Sequence, residues 1–122
     1  IERSISKCNN VYWISFMNRL PVGYAKLKLN SKSEFIESEN IGQLQKIYVL
    51  KDFLSMKIGS ELQNLLLAKA KELGFHIVWL SVLNSNERAL NFYEKNGFEK
   101  IGNHDFQIGK ENFKFIAMQK EL

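Results

Sequence analysis

Between Leu44 and Leu83 the chain reads strand, turn, long helix, strand, and this order constrains the fold more than any other feature. Leu44 to Leu50 is an apolar strand, and Lys51 to Met56 is a short irregular turn. A helix follows from about Met56 to Leu73, because Ile58, Leu62, Leu65, Leu66, Ala70 and Leu73 recur at three- and four-residue spacing and so share one face. Gly74 suits the position after a helix, where positive φ is needed. Phe75 to Leu83 is then almost continuously apolar, as expected of a strand buried on both faces and paired in parallel. The unit is a βαβ crossover, expected to be right-handed. It also sets the end of a strand beside a helix N-terminus. The first turn there has unpartnered N–H groups and the positive end of the peptide dipoles, a place to hold an anion.

The rest of the chain builds a sheet around this junction. Val11 to Asn18 and Val22 to Leu29 read as strands joined tightly at Arg19-Leu20-Pro21, an antiparallel hairpin. Asn30 to Asn40 is polar and locally acidic, with Glu34, Glu37 and Glu39, and reads as a loop. Asn84-Ser85-Asn86 offers capping chemistry for a second helix, Glu87 to Lys95, which Asn96-Gly97 ends. Phe98 to Gly102 and Asn112 to Gln119 read as two last strands joined by His104 to Glu111, with Gly109 in the turn. The expectation is a single domain over residues 1–122. It is an α+β fold with a mixed, mostly antiparallel six-stranded sheet, a central parallel pair, and helices packed on it.

The 122 residues are 45 % hydrophobic and 25 % charged, the balance of a globular domain with one modest core. No apolar run reaches the length of about 20 residues that spans a bilayer. The N-terminus lacks the apolar stretch of a secretory signal. Cys8 is the only cysteine, so no internal disulfide forms, which fits a reducing, cytoplasmic setting. The net charge of +4 is spread along the chain without a basic stripe interleaved with aromatics. Neither nucleic acid nor membrane is therefore expected as a partner. His76, placed on the apolar strand, and His104, placed in a loop, are far apart, and no Cys/His cluster marks a metal site. Cys8 has no sequence partner that would make it a nucleophile.

Two stretches carry chemistry. Lys57-Ile58-Gly59-Ser60 opens the long helix: Gly59 permits close approach to the backbone, Ser60 adds a hydroxyl and Lys57 a positive charge. The spacing is neither that of a nucleotide-hydrolase P-loop nor that of a dinucleotide-binding glycine motif. The second stretch is Asn-x-x-Ala-x-x-x-Tyr-x-x-x-Gly-Phe, present as Asn86, Ala89, Tyr93, Gly97 and Phe98. Read alone, Tyr93 is an aromatic on the apolar side of a short helix.

Taken together with Ile47-Tyr48-Val49 and Ile58-Gly59-Ser60, the second motif resembles the GNAT superfamily of acetyl-CoA-dependent N-acetyltransferases, in the style of small bacterial amine and polyamine acetyltransferases. The resemblance runs from about Val11 to Leu122. It implies that the strand before the long helix splays from its neighbour, so that Ile47, Tyr48 and Val49 hold the pantetheine arm. It places the pyrophosphate on backbone donors of the turn and helix start: Leu54, Ser55, Met56, Lys57, Ile58, Gly59 and Ser60. Asn84, Asn86 or Asn91 would contact the cofactor, and Tyr93 would act as general acid toward the departing thiolate. A backbone N–H near Val49 could polarise the thioester carbonyl. Acetyl-CoA is then a co-substrate, no metal is involved, and the acceptor is a primary amine of a small molecule or peptide.

The chain departs from the family pattern in three places. Leu54 stands where a Gln or Arg usually begins the turn, and Lys57 where its first glycine is expected. Gln43 stands where many members carry a glutamate base, leaving Glu37, Glu39, water or an already neutral amine as alternatives. The strand and helices that usually precede the first hairpin are not evident, so the domain should look as though it lacks its front wall. Either that segment lies outside these 122 residues, or another chain, as in a homodimer, covers the exposed surface. These departures motivate an alternative reading, a non-catalytic acyl-CoA-binding regulatory module.

Overall fold

The computed structural model describes residues 2–7, 9–38 and 40–122. Strands β1 (Glu2–Lys7), β2 (Asn10–Met17), β3 (Leu20–Lys28) and β4 (Ile41–Val49) form an antiparallel meander. A 3₁₀ turn (Lys51–Met56) leads into helix α1 (Ile58–Glu72). Strand β5 (Ile77–Leu83), helix α2 (Glu87–Lys95), and strands β6 (Glu99–Ile108) and β7 (Glu111–Glu121) follow. All lie in one seven-stranded sheet of order β1-β2-β3-β4-β5-β7-β6. The β4–β5 pair is parallel and the others are antiparallel. The six expected strands are all there, and β1 adds a seventh at the edge.

One face of the sheet carries the core. Val11 and Trp13 of β2, Ala25 and Leu27 of β3, Leu44 of β4, and Val78, Leu80 and Val82 of β5 alternate toward the helices. Ile58, Leu62, Leu66 and Ala70 of α1 pack against them, with Leu90 and Tyr93 of α2 in the same cluster. Gly23 lets α1 approach, since a Cβ there would lie 3.0 Å from the Tyr48 carbonyl oxygen and 3.2 Å from Ile58 Cγ2.

Several boundaries differ from the sequence reading, β3 beginning at Leu20 and β4 at Ile41 among them. The long helix starts at Ile58, not Met56, because residues 51–56 close into a 3₁₀ turn. His76 precedes β5. The last hairpin is much longer than expected. His104 through Ile108 pair with Glu111 through Phe115, and only Gly109 and Lys110 turn. His104 is therefore a strand residue: the stretch alternates Phe106 and Ile108 with Asp105 and Gln107, and the ladder across to Phe113 and Phe115 holds it extended.

Residues 31–38 have no regular structure, yet they are not a free loop. Ser31 is buried, the Trp79 indole donates to its carbonyl at 2.7 Å, and its hydroxyl donates to Gln43 at 2.8 Å. The segment thus lies on the sheet face opposite α1. Glu34 and Glu37 are exposed on it. Glu39 and Cys8 fall outside the described residues.

Candidate active site

The site is made by a failure of pairing. β4 and β5 are joined in parallel only at Ile41, Gly42 and Gln43, opposite Ile77, Val78 and Trp79. On its other edge β4 stays paired to β3 as far as Val49, opposite Gly23. Lys26 faces Lys46 while Leu27 faces Leu44, so Gln45 is an extra, bulged residue where the strands part. Among the described residues no strand pairs with the free edge of β4 beyond Gln43, and its backbone groups there are available to a ligand.

At the outer end of that edge the backbone turns into α1. Lys57 has φ 58° and ψ 21°, the left-handed conformation that glycine takes at little cost. A glycine, which the resemblance led one to expect here, would adopt it without strain. No side chain caps α1. The first helical N–H to reach a carbonyl is that of Glu61, 3.1 Å from the Lys57 oxygen, which leaves the N–H groups of Ile58, Gly59 and Ser60 ahead of it. A Cβ on Gly59 would meet Phe92 at 3.7 Å and Val49 at 3.9 Å, ordinary contacts. The protein itself does not require glycine here, and the space it leaves opens on the groove.

The second wall is α2. The Asn86 side chain accepts the Ala89 N–H at 3.2 Å and caps the helix. At the other end Gly97 has φ 94°, its N–H reaches the Glu94 carbonyl at 3.1 Å, and the Phe98 N–H reaches the Tyr93 carbonyl at 3.0 Å. This is a Schellman closure, and its apolar contact is Tyr93 against Phe98, edge to face at 5.5 Å. The Tyr-x-x-x-Gly-Phe spacing is thus a device that fixes the Tyr93 ring. Phe92 holds it from the other side at 5.3 Å. Burial pushes the Tyr93 hydroxyl up from 10.0 to about 12. The hydroxyl makes no hydrogen bond among the described residues.

Ile47, Tyr48, Val49, Leu54, Lys57, Gly59, Ser60, Asn86, Ala89 and Tyr93 line one groove of about 500 Å³, with Arg88 and Phe92. Of the residues expected at the site, Ile58 is buried in the core, and Met56, Asn84 and Asn91 are exposed away from the groove. Nothing is described of the Ser55 side chain. Sequence reasoning missed Arg88, Ala89 and Phe92 as lining. Arg88, two residues past the Asn86 cap, was the available signal, because a cation at the start of a helix is there for something other than the dipole. Among the described residues no three His, Cys, Asp or Glu side chains cluster as metal ligands. Among the described residues no helix is long and apolar enough to cross a membrane.

Residues 2–98 match the Acetyltransferase (GNAT) family. The chain belongs to that family. An uncharacterised N-acetyltransferase of Lactobacillus delbrueckii subsp. lactis is 28 % identical over 100 residues, covering 82 % of this chain and 58 % of the relative. One from Mycobacterium bovis is 34 % identical over 80 residues, covering 66 % and 51 %. The chain therefore spans between half and three-fifths of these relatives' lengths. Among solved structures, a candidate streptothricin acetyltransferase from Bacillus anthracis in complex with acetyl coenzyme A superposes with TM-score 0.81. It is 25 % identical, over 97 % of this chain and 65 % of that one. The ribosomal-protein-alanine N-acetyltransferase of Brucella melitensis shares the fold at TM-score 0.78, over 93 % of this chain and 69 % of that one.

Proposed function

We propose that this protein transfers the acetyl group of acetyl-CoA to a primary amine of a small molecule or peptide, by direct attack within a ternary complex. The observation that carries this reading is the parted β4 edge running from Gln43 to the uncapped start of α1, with a buried tyrosine facing it from α2. The N–H groups of Ile58, Gly59 and Ser60 would hold the pyrophosphate, with Lys57 and Arg88 as nearby cations. The free edge at Ile47, Tyr48 and Val49 would pair with the pantetheine amides. A backbone N–H of the same edge would polarise the thioester carbonyl.

Tyr93 is suited to the leaving sulfur. A phenol whose proton is held up to about pH 12 stays neutral at working pH and donates a hydrogen bond as thiolate charge develops. Gln43 is not a base, and its Oε1 is already taken by the Ser31 hydroxyl. That observation favours the second reading, an acyl-CoA-binding regulatory module without turnover. Release of CoA thiol from acetyl-CoA with a panel of amines separates the two: turnover above the amine-free rate supports the transferase, and tight binding without release supports the module. The acceptor class, a primary amine, is read by the same assay; a cytoplasmic location and a homodimer belong to the same proposal, the homodimer to be read by sedimentation of the purified protein.

A further inference from the structure

The face of the sheet opposite the helices holds a polar pair that the groove does not use. Ser81 lies on β5, two residues beyond Trp79, the last residue paired to β4. Its neighbours Leu80 and Val82 point into the helical core, so Ser81 points the other way. Its Oγ is 2.6 Å from His104 Nε2, across the intervening strand β7. The imidazole is stacked on Phe115 at 5.4 Å and 14°, with the Phe35 ring 6.3 Å away. Phe35 is itself seated against Gly102, where any Cβ would run into its ring. An imidazole held this firmly, with one nitrogen tied to a serine beside an opening in the sheet, is positioned for proton transfer and not for packing alone.

The opening lies at the right level. Extending the β4–β5 register past Gln43 and Trp79 sets Gln45 opposite Ser81. Gln45 Oε1 is buried and has no hydrogen-bond partner, an acceptor left for an N–H. Ile47, at the inner end of the groove, is two residues from Gln45, about 7 Å along the strand. An acyl group carried along the β4 edge thus approaches the Ser81 level to within about 7 Å, two residues of strand, while an acceptor can come from the face that carries His104.

We propose that Ser81 and His104 form the proton relay that deprotonates the attacking amine, a role that rests on the acetyltransferase reading. The amine nitrogen bonds to the thioester carbonyl carbon and the C–S bond breaks. Sulfur leaves with the electron pair, hydrogen-bonded by Tyr93. The surplus proton on nitrogen passes to the Ser81 oxygen as the Ser81 proton moves to His104 Nε2, which is the acceptor when Nδ1 carries the ring proton. The imidazolium returns the proton to the thiolate through solvent, so amine and acetyl-CoA give amide and CoA thiol. The relay supplies the base that Gln43 does not. Among the described residues, the charged groups on this face are Glu99, bonded to Gln119, with Glu111 and Glu121 at the two ends of β7, Lys26, Lys28 and Lys46 on β3 and β4, and Lys32, Glu34 and Glu37 of the covering segment. Asp105 and Lys114 alternate to the other face.

The test uses the complete protein, acetyl-CoA, and the best acceptor among spermidine, tyramine and an alanyl peptide. His104→Phe keeps the stacking and removes the nitrogens, while Ser81→Ala breaks the relay without altering the ring. Both should lower kcat, His104→Phe by about 100-fold, with acetyl-CoA affinity and melting temperature unchanged. The acid limb of the kcat/KM profile that reports the base should vanish in His104→Phe, and Ser81→Thr should recover most of the rate. If both variants keep the wild-type kcat and acid limb, the relay is wrong while the transferase reading stands. If the wild-type protein neither binds acetyl-CoA nor acetylates any acceptor, both fall together.

Discussion

Replacing Gly59 by alanine separates what the fold needs from what the ligand needs. Gly59 is the second residue of α1, and its φ is not in the left-handed region. The new methyl would touch Phe92 at 3.7 and 3.8 Å and Val49 at 3.9 Å, all at ordinary contact distance. Alanine is also the better helix former, by about 0.5 to 1 kcal/mol. The apoprotein should therefore melt a few degrees higher, about 2 to 4 °C for a chain of this size. The same methyl would stand over the N–H groups proposed to hold the pyrophosphate. Losing one charge-assisted hydrogen bond there costs about 1.5 to 3 kcal/mol, so acetyl-CoA should bind at least about tenfold more weakly. Calorimetric titration gives the affinity, and thermal denaturation gives the stability. An unchanged Kd in a well-folded Gly59→Ala protein would refute the placement of the pyrophosphate at the start of α1.

Tyr93→Phe keeps the ring contacts with Phe92 and Phe98, and should lower the transfer rate much more than it lowers acetyl-CoA affinity, as steady-state kinetics and calorimetry would show. The same substitution alters alkaline stability. Burial of the neutral phenol favours the protonated form in the folded state, so its contribution is fully present below pH 10 and is lost as pH rises from 10 toward 12. Wild type should lose about 2 to 3 kcal/mol more than Tyr93→Phe across that window, measured by denaturant unfolding. Gly97→Ala forces alanine to φ 94° and sets its Cβ 3.1 Å from Lys120 Nζ. It should destabilise the protein by more than about 1 kcal/mol and reduce turnover by releasing the Tyr93 ring. Lys57→Gly relieves a left-handed lysine and should raise stability by up to about 1 kcal/mol. If Lys57 also contacts phosphate, the same variant weakens acetyl-CoA binding.

The parts legible in the sequence are those where a backbone position demands a residue type. Gly74 and Gly97 close two helices through Schellman bonds, and Asn86 caps a third helix end, so both helix ends of α2 could be read directly. The apolar spacing of Ile58, Leu62, Leu66 and Ala70 is that of the buried stripe observed. The split between β4 and β5 was not legible from side chains, because it is an absence of pairing produced by a bulge at Gln45; only the family resemblance implied it. β1 escaped notice because Glu2 to Lys7 has no apolar run. The hairpin through His104 was read as a loop because of its polar residues and Gly109, although Phe106 and Ile108 alternate in it and its ladder to Glu111–Phe115 makes it a strand. Asn84, in the turn after β5, and Asn91, on α2, do not line the groove, while Asn86 does.

The central claim is that the parted strand edge and the start of α1 receive acetyl-CoA. Thermal denaturation of the complete protein with and without acetyl-CoA tests this most directly. At a ligand concentration 100 times Kd the folded state should gain about 2.7 kcal/mol, a melting shift of several degrees that Gly59→Ala diminishes. No shift at millimolar acetyl-CoA, with the protein shown to be folded, would contradict it.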